Sequence, residues 1–160
     1  MAISAEFAHL NIIAHDWRRL VRFYRDVFGC EPLLPERDLQ GQWLEGATGV
    51  QRARLRGAHL RLPGHGAGGP TLEIFSYAPM PARATAAVNR PGLAHMAFRV
   101  DDVAQALEAV LAAGGGRIGE VVSVDVPDAG RLTFCYATDP EGNILELQRW
   151  AEPLAARPEA

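Results

Sequence analysis

The chain has 160 residues, of which 48% are hydrophobic and 22% are charged, and its formal net charge is −3. This length suffices for one soluble domain, or for two small halves that share a core, without disulfides. All 16 basic residues are arginines, which excludes both a Schiff-base lysine and the lysine of a phosphate-binding P-loop. Nucleic acid is not an expected partner, because no basic surplus is available to neutralise phosphates.

The sequence indicates neither a thiolate metal site nor a membrane segment. Cys30 and Cys135 lie far apart and form no CxxC motif, so we expect neither a zinc-thiolate centre nor a disulfide framework. The longest apolar runs are only a few residues long. Residues 1–6 lack the charged start and the apolar stretch of a signal peptide. We therefore expect a cytoplasmic protein that does not enter a membrane.

The first half of the chain is predicted to contain one helix among several strands. Phe7 to Ile13 is apolar and rich in β-branched residues, which predicts a strand. Asp16 is suited to cap a helix that starts at Trp17, and Gly29 is suited to end it. Further strand segments are predicted at Glu31 to Leu34, Gln42 to Glu45, Arg52 to Leu60 and Thr71 to Tyr77.

The second half repeats this pattern after a proline-rich segment. Residues 78–92 hold three prolines and little periodicity, which predicts a linker. A helix follows, capped by Asp101 or Asp102 and ended by the glycines 114–116. The strands of this half are predicted at 93–100, 121–126, 131–138 and 143–150. The predicted organisation is a first βαβββ module over 1–77, the linker, a second module over 93–150 and a C-terminal tail over 151–160.

Matching residues make the two halves an internal repeat. His9 and Asp16 align with His95 and Asp102 at one common offset. In the last strand of each half, Leu-Glu-Ile around Glu73 aligns with Leu-Glu-Leu at 145–147. The first half is longer before its last strand, which predicts a longer loop region there. The expected fold is α+β, with two βαβββ modules in tandem forming curved, mostly antiparallel sheets.

Strand alternation places one histidine and one glutamate of each half on a polar strand face. His9 and Glu73 lie opposite the more uniformly apolar faces of their strands, and His95 and Glu146 do so in the second half. A carboxylate or an imidazole inside a sheet concavity is costly unless it is paired or bound to metal. Four such residues at equivalent positions indicate one shared divalent cation.

The donor atoms of these four residues limit which metal ions and which reactions are expected. Two imidazoles and two carboxylates form a mixed nitrogen and oxygen ligand set, which suits Zn, Ni, Co, Mn or Fe(II). Four protein ligands in an octahedron can leave two adjacent positions for a small molecule with two neighbouring oxygens. Glu73 and Glu146 are also the carboxylates available to take a proton. Taken singly, each residue is more often structural; the four together favour the metal.

Other residues are candidates for binding the substrate. Arg54 and Arg56 share one strand face and suit an anionic group, although exposed sheet arginines are the more common case. Aromatic side chains suit a pocket wall, although they more often fill a core. The sequence does not decide on which face of its strand His59 lies. His15 and His65 are expected at the surface. The predicted substrate-binding set is Asn11, Arg54, Arg56, Phe75, Arg99 and Tyr136.

Five stretches of the sequence resemble the vicinal oxygen chelate superfamily, which includes glyoxalase I, methylmalonyl-CoA epimerase, extradiol dioxygenases and bleomycin-resistance proteins. They are FAHLNII, VRFYRDVFG, TLEIFSY, LAHMAFRVDD and DPEGNILELQ, and they cover most of residues 7–148. The resemblance implies the glyoxalase-like fold. Its motifs are typical of the whole superfamily and do not choose among its activities.

The residues at the ligand positions distinguish the activities of the superfamily better than these motifs do. By resemblance, His9, Glu73, His95 and Glu146 fall on the metal-ligand positions of the superfamily. The set is similar to that of glyoxalase I, whereas the epimerase usually has Gln in place of Glu73. Extradiol dioxygenases bind iron with two His and one Glu, so a fourth ligand argues against them. The resistance proteins lack a complete set.

The sequence therefore predicts a metal-dependent enzyme that transfers a proton next to a carbonyl, as a glyoxalase I-type lyase or as an epimerase or isomerase. Two alternatives stay open: an Fe(II) extradiol ring-cleaving dioxygenase, and a non-enzymatic small-molecule binding or resistance protein. Many members of the superfamily pair two chains, so a homodimer is expected by resemblance. The site then lies either within one chain or across the dimer.

Overall fold

A computed structural model describes residues 4–151 of the chain. Residues 152–160, nearly all of the predicted C-terminal tail, lie outside the described part. In chain order the elements are β1 (His9–Ile13), α1 (Trp17–Phe28), β2 (Glu31–Gln40), α2 (Gln42–Thr48), β3 (Arg54–Arg61), β4 (Thr71–Ala78), β5 (Met96–Arg99), α3 (Val103–Ala112), β6 (Gly116–Val126), β7 (Gly130–Thr138) and β8 (Ile144–Ala151).

The chain forms two compact units, which comprise Met1–Ala84 and Thr85–Ala160. Each unit contains one open four-stranded sheet, in the order β1-β4-β3-β2 in the first unit and β5-β8-β7-β6 in the second. In both sheets the first pair of strands is parallel and the other two pairs are antiparallel. The predicted α+β fold of two tandem modules with mostly antiparallel sheets is thereby confirmed.

Helix α1 begins and ends where the sequence predicts. The Asp16 side chain caps it by accepting a 2.9 Å hydrogen bond from the backbone N–H of Arg19. Gly29 follows its last turn with a φ of 69°, a left-handed conformation that glycine adopts at little cost. Leu20 and Tyr24, one turn apart, are fully buried, so this helical face packs on the sheet.

The prediction of a strand at Gln42 to Glu45 is wrong, because this segment forms helix α2. Gly41 precedes the helix with a φ of 117° and redirects the chain. One apolar residue, Leu44, then packs against the first unit's small core cluster of Ala53, Leu55 and Phe75. Such a tertiary contact outweighs the local strand preference of four residues. This helix occupies part of the extra length that the repeat predicts for the first half.

Two strands are longer than predicted because irregular pairing lets them continue. Strand β2 passes Pro35 and reaches Gln40, with a register shift between Leu33 and Arg37. Strand β6 starts at Gly116, with a shift between Ile118 and Val122. Bulges of this kind accommodate residues that do not fit a regular ladder. The predicted strand segments at 31–34 and 121–126 are therefore parts of longer strands.

The apolar strand faces form the cores as predicted. Leu72 and Ile74 on β4, and Leu145 and Leu147 on β8, are fully buried. Helix α1 contacts β3 and β4, and α3 contacts β7 and β8. Because successive side chains on a strand alternate in direction, the helices cover one face and leave Glu73 on the other.

Both cysteines are buried as free thiols. Burial raises the pKa of the Cys30 thiol to about 11, and it also raises that of Cys135 against an opposing effect of Arg117. A raised pKa keeps a thiol neutral near pH 7, whereas the thiolate is its metal-binding form. None of the helices in the described residues is long and apolar enough to cross a membrane.

Candidate metal centre

Three strands of the first unit place polar side chains around one carboxylate, that of Glu73. In the sheet, Glu73 pairs with Asn11 of β1 and with His59 of β3. Asn11 Nδ2 donates a 3.1 Å hydrogen bond to Glu73 Oε2. His9 Nε2 lies 3.5 Å from the same oxygen, and His59 Nδ1 lies 3.3 Å from Glu73 Oε1. The carboxylate therefore has two imidazoles and one amide around it, and its side chain is only 14% exposed.

The second unit places one imidazole beside Glu146. Strand partners of Glu146 are Ala97 on β5 and Tyr136 on β7. His95, which directly precedes β5, has its Nε2 2.9 Å from Glu146 Oε2. The ring centroids of His95 and Tyr136 are 5.2 Å apart. The Glu146 side chain is again 14% exposed.

The two pairs occupy equivalent places in the two sheets. In each unit the histidine lies two residues before the residue that pairs with the glutamate, which is Asn11 in one unit and Ala97 in the other. In each unit the contact joins an imidazole Nε2 and a carboxylate Oε2. The residues that align between the two halves of the sequence therefore also occupy equivalent positions in the strand pairing.

The donor atoms of each pair fit a divalent cation. Two ligand atoms at right angles around one ion, each about 2.1 Å from it, are about 3 Å apart. The His95–Glu146 separation is 2.9 Å and the His9–Glu73 separation is 3.5 Å, so small movements suffice. Among residues 4–151, no group of three or more His, Cys, Asp or Glu is placed to hold a metal ion. The four-ligand centre of His9, Glu73, His95 and Glu146 therefore stays a prediction.

Four of the predicted substrate-binding residues lie on the same faces as these pairs. Asn11 contacts Glu73 directly. Phe75 follows Glu73 by two residues and packs edge-on against His59, with centroids 5.6 Å apart. The Tyr136 ring packs against His95 at a tilt of 59°. Arg99 is exposed on β5, two residues beyond the strand partner of Glu146, and so shares its face.

Arg54 and Arg56 are not brought to the carboxylate. They pair with Ala78 and Ser76 in a continuous register in which His59 pairs with Glu73. Arg54 and Arg56 precede His59 by five and three positions along the strand, and an odd offset places both on the opposite face of the sheet. Arg54 instead donates two hydrogen bonds to Asp38. The substrate role predicted for these two arginines does not fit this geometry, because the sheet itself separates them from Glu73.

His59 is the residue that the sequence left undecided. Its strand carries Leu55 on one face and Leu60 on the other, and both are buried, so the apolar pattern alone does not assign its direction. The register of β3 with β4 decides it, by placing His59 opposite Glu73. His15 and His65 are exposed, as predicted.

The sequence profile of the Glyoxalase/Bleomycin resistance protein/Dioxygenase superfamily matches residues 6–147. The match covers most of the chain and includes all four predicted ligands. The chain belongs to this superfamily. No functionally curated protein gives a significant match.

Solved structures of superfamily proteins share the fold of this member. A glyoxalase family protein from Bacillus cereus is 20% identical, with a TM-score of 0.71 over 95% of this chain and 97% of that one. A glyoxalase family protein from Enterococcus faecalis is 25% identical, with a TM-score of 0.56 over 89% and 96% of the two chains. A glyoxalase/bleomycin resistance protein/dioxygenase family enzyme from Burkholderia phytofirmans PsJN is 16% identical, with a TM-score of 0.59 over 92% and 100%.

Proposed function

We propose that this superfamily member is a metal-dependent enzyme that transfers a proton at a carbon next to a carbonyl. The reaction would be that of a glyoxalase I-type lyase or of an epimerase or isomerase. The observation that carries the proposal is the repeated pair: each unit places an imidazole nitrogen within 3.5 Å of a carboxylate oxygen at equivalent positions of the repeat. In both modules the carboxylate of the pair is largely buried, and a largely buried carboxylate is costly unless a partner offsets its charge.

The proposed ligands of the metal are His9, Glu73, His95 and Glu146. Two carboxylates offset the charge of a divalent cation, and the mixed donors suit Zn, Ni, Co, Mn or Fe(II). When bound, such an ion would supply Lewis-acid polarisation of two neighbouring oxygens of a small-molecule substrate. Since the pairs lie in two different units, the full set forms either within one chain or between two copies of it.

The protein's own groups provide the proton transfer and the binding surface. The base is a carboxylate, Glu73 or Glu146, and each has the imidazole of its paired histidine within 3.5 Å of its Oε2. Phe75 and Tyr136 are the proposed apolar walls beside the two pairs. Asn11 and Arg99 are proposed to contact polar groups of the substrate, Arg99 an anionic one.

Exchange of a substrate hydrogen with solvent deuterium tests this chemistry directly. The protein is purified without chelator, its metal content is measured, and it is incubated in D₂O with a panel of α-hydroxyketones and hemithioacetals. We expect metal-dependent incorporation of deuterium at the carbon next to the carbonyl, without consumption of oxygen. No exchange by metal-loaded protein with any member of the panel would count against the proposal.

The same measurements separate the two alternatives. Consumption of oxygen and cleavage of a catechol, with Fe(II) required, would identify a ring-cleaving dioxygenase. Tight binding of a small molecule by protein that holds no metal would identify a binding or resistance protein.

A homodimer is part of the proposal, and mixed chains locate the site within it. Chains carrying Glu73→Gln and chains carrying Glu146→Gln are co-expressed with different tags, and the mixed dimer is isolated. A site formed across two copies regains one intact ligand set in the mixed dimer, and so regains metal. A site within each chain stays broken in both.

A further inference from the structure

The carboxylate of Glu73 has a second imidazole that the four-ligand set does not use. His9 approaches Oε2, whereas His59 Nδ1 lies 3.3 Å from Oε1. Asn11 donates its hydrogen bond to Oε2. The two oxygens therefore have different neighbours, and Oε2 is the one on the side of the proposed metal ligand His9.

The His59 ring is held in place by its surroundings. Phe75 packs edge-on against it, at a centroid distance of 5.6 Å and an interplanar angle of 85°. The Phe75 ring has room because residue 57 is glycine: a Cβ there would lie 2.3 Å from Phe75 Cδ1. Only 26% of the His59 side chain is exposed, so protein atoms cover most of the ring. A ring packed in this way suits a fixed hydrogen-bond donor.

The second unit lacks this feature at the equivalent position. Tyr136 pairs with Glu146 across the antiparallel ladder, just as His59 pairs with Glu73. The two glutamates thus differ in their cross-strand neighbour, although their histidine partners match. The strand pairing is the same in both units, so the difference lies in the residue at this position.

We propose that His59 is a positioning residue for Glu73: its Nδ1–H donates to Oε1, so that Oε2, which accepts from Asn11 and lies beside His9, is directed toward the metal. The inference rests on the proposed metal site and extends it to a fifth residue. A carboxylate held at one oxygen presents the other in a fixed direction, which lowers the cost of ordering it when the ion binds. Partners that hold metal ligands in this way contribute about 10–100-fold to metal affinity.

Two substitutions separate the donor from the bulk of the ring. His59→Leu removes the donor but keeps apolar volume beside Phe75. His59→Asn places an amide nitrogen about where Nδ1 lies, because both atoms are the same number of bonds from Cα. The dissociation constant for Co²⁺ is measured by competition with a chromophoric chelator. We expect it to rise about 10–100-fold in His59→Leu and to stay close to wild type in His59→Asn.

A control and a metal-free measurement complete the test. His15→Leu changes an exposed histidine of the same unit and should leave the affinity unchanged. In the metal-free protein, ¹⁵N NMR with His59 neutral should show the Nδ1–H tautomer in wild type and its loss in Glu73→Leu. This measurement does not depend on a metal, so it also decides the inference if wild-type protein binds none and the proposed function fails. Equal Co²⁺ affinities in wild type and His59→Leu, or an Nε2–H tautomer in wild type, would overturn it.

Discussion

Glu73 and Glu146 are carboxylates in sites that are largely shielded from water, with 14% of each side chain exposed. Removing a carboxylate from water costs several kcal/mol unless a partner group offsets the cost. The imidazoles of His9 and His95 are such partners. A divalent cation would offset the cost more strongly, because it brings two positive charges to the same donors.

Two substitutions in the second unit test the ligands. Glu146→Gln removes a negative charge and His95→Ala removes a donor nitrogen, so each should weaken metal binding by at least about tenfold and abolish turnover, with circular dichroism unchanged. Metal analysis of the purified variants provides the measurement. Glu120→Gln is the matched control, since that side chain is 80% exposed and pairs with Arg117. Full metal occupancy in both ligand variants would show that these residues are not ligands.

Gly57 is a residue whose missing side chain matters. A Cβ there would lie 2.0 Å from the Ile74 carbonyl oxygen and 2.8 Å from the Phe75 Cα, so backbone would have to move. We expect Gly57→Ala to destabilise the protein by about 1–3 kcal/mol, measured by urea unfolding. Gly66→Ala, where a Cβ meets nothing within 4 Å, should change stability by no more than about 0.5 kcal/mol. Equal unfolding midpoints would contradict this account.

At the scale of the element, the two amphipathic helices start in the same way. Asp16 and Asp102 accept 2.9 Å hydrogen bonds from the backbone N–H groups of Arg19 and Gln105. Each cap fixes the point where a strand turns into the helix that covers its sheet. The repeat therefore preserves the helix start as well as the strand pattern, because both modules must bury one helical face on one sheet face.

Removing the caps should have similar effects in the two units. Asp16→Ala and Asp102→Ala each lose one side-chain acceptor, and each should destabilise its unit by about 1 kcal/mol in thermal or urea unfolding. Asp16→Asn and Asp102→Asn keep an acceptor oxygen and should lie near wild type. A loss from the alanine variants no larger than from the asparagine variants would mean that the caps contribute nothing.

At the scale of the whole molecule, the stability of both units would depend on one ion, because each unit is proposed to contribute ligands. A ligand that binds only the folded state stabilises it, by about 2.7 kcal/mol at one hundred times its dissociation constant. If both units contribute ligands, loss of a ligand in one unit lowers this stabilisation of the other as well. The coupling holds for a site within one chain and for a site across two copies.

Hydrogen exchange measures this coupling. Addition of Co²⁺ should slow amide exchange in strand β8 of the wild-type protein, because Glu146 lies on that strand. The same concentration of Co²⁺ should protect β8 less in Glu73→Gln, although residue 73 lies in the other unit. Undiminished protection of β8 in that variant would show that the second unit binds the ion without Glu73.

Apart from helix α2, the element order was predictable from the sequence, as were the repeat and the faces of His9, Glu73, His95 and Glu146. Periods of 2 and 3.6 residues are properties of the backbone itself, so a local pattern states which side chains share a face. The repeat then related one half to the other, because equivalent strands in the two modules carry equivalent residues. Family membership follows from the same motifs.

The tertiary structure alone decided the features that depend on contacts between distant segments. Helix α2 forms where a strand was predicted, because Leu44 packs against residues from two later strands. His59 lies beside Glu73, and Arg54 and Arg56 do not, because the register of β3 on β4 assigns the faces. Strand β3 has one buried leucine on each face, so its sequence does not show which face holds His59. That face is fixed only when β3 pairs with β4.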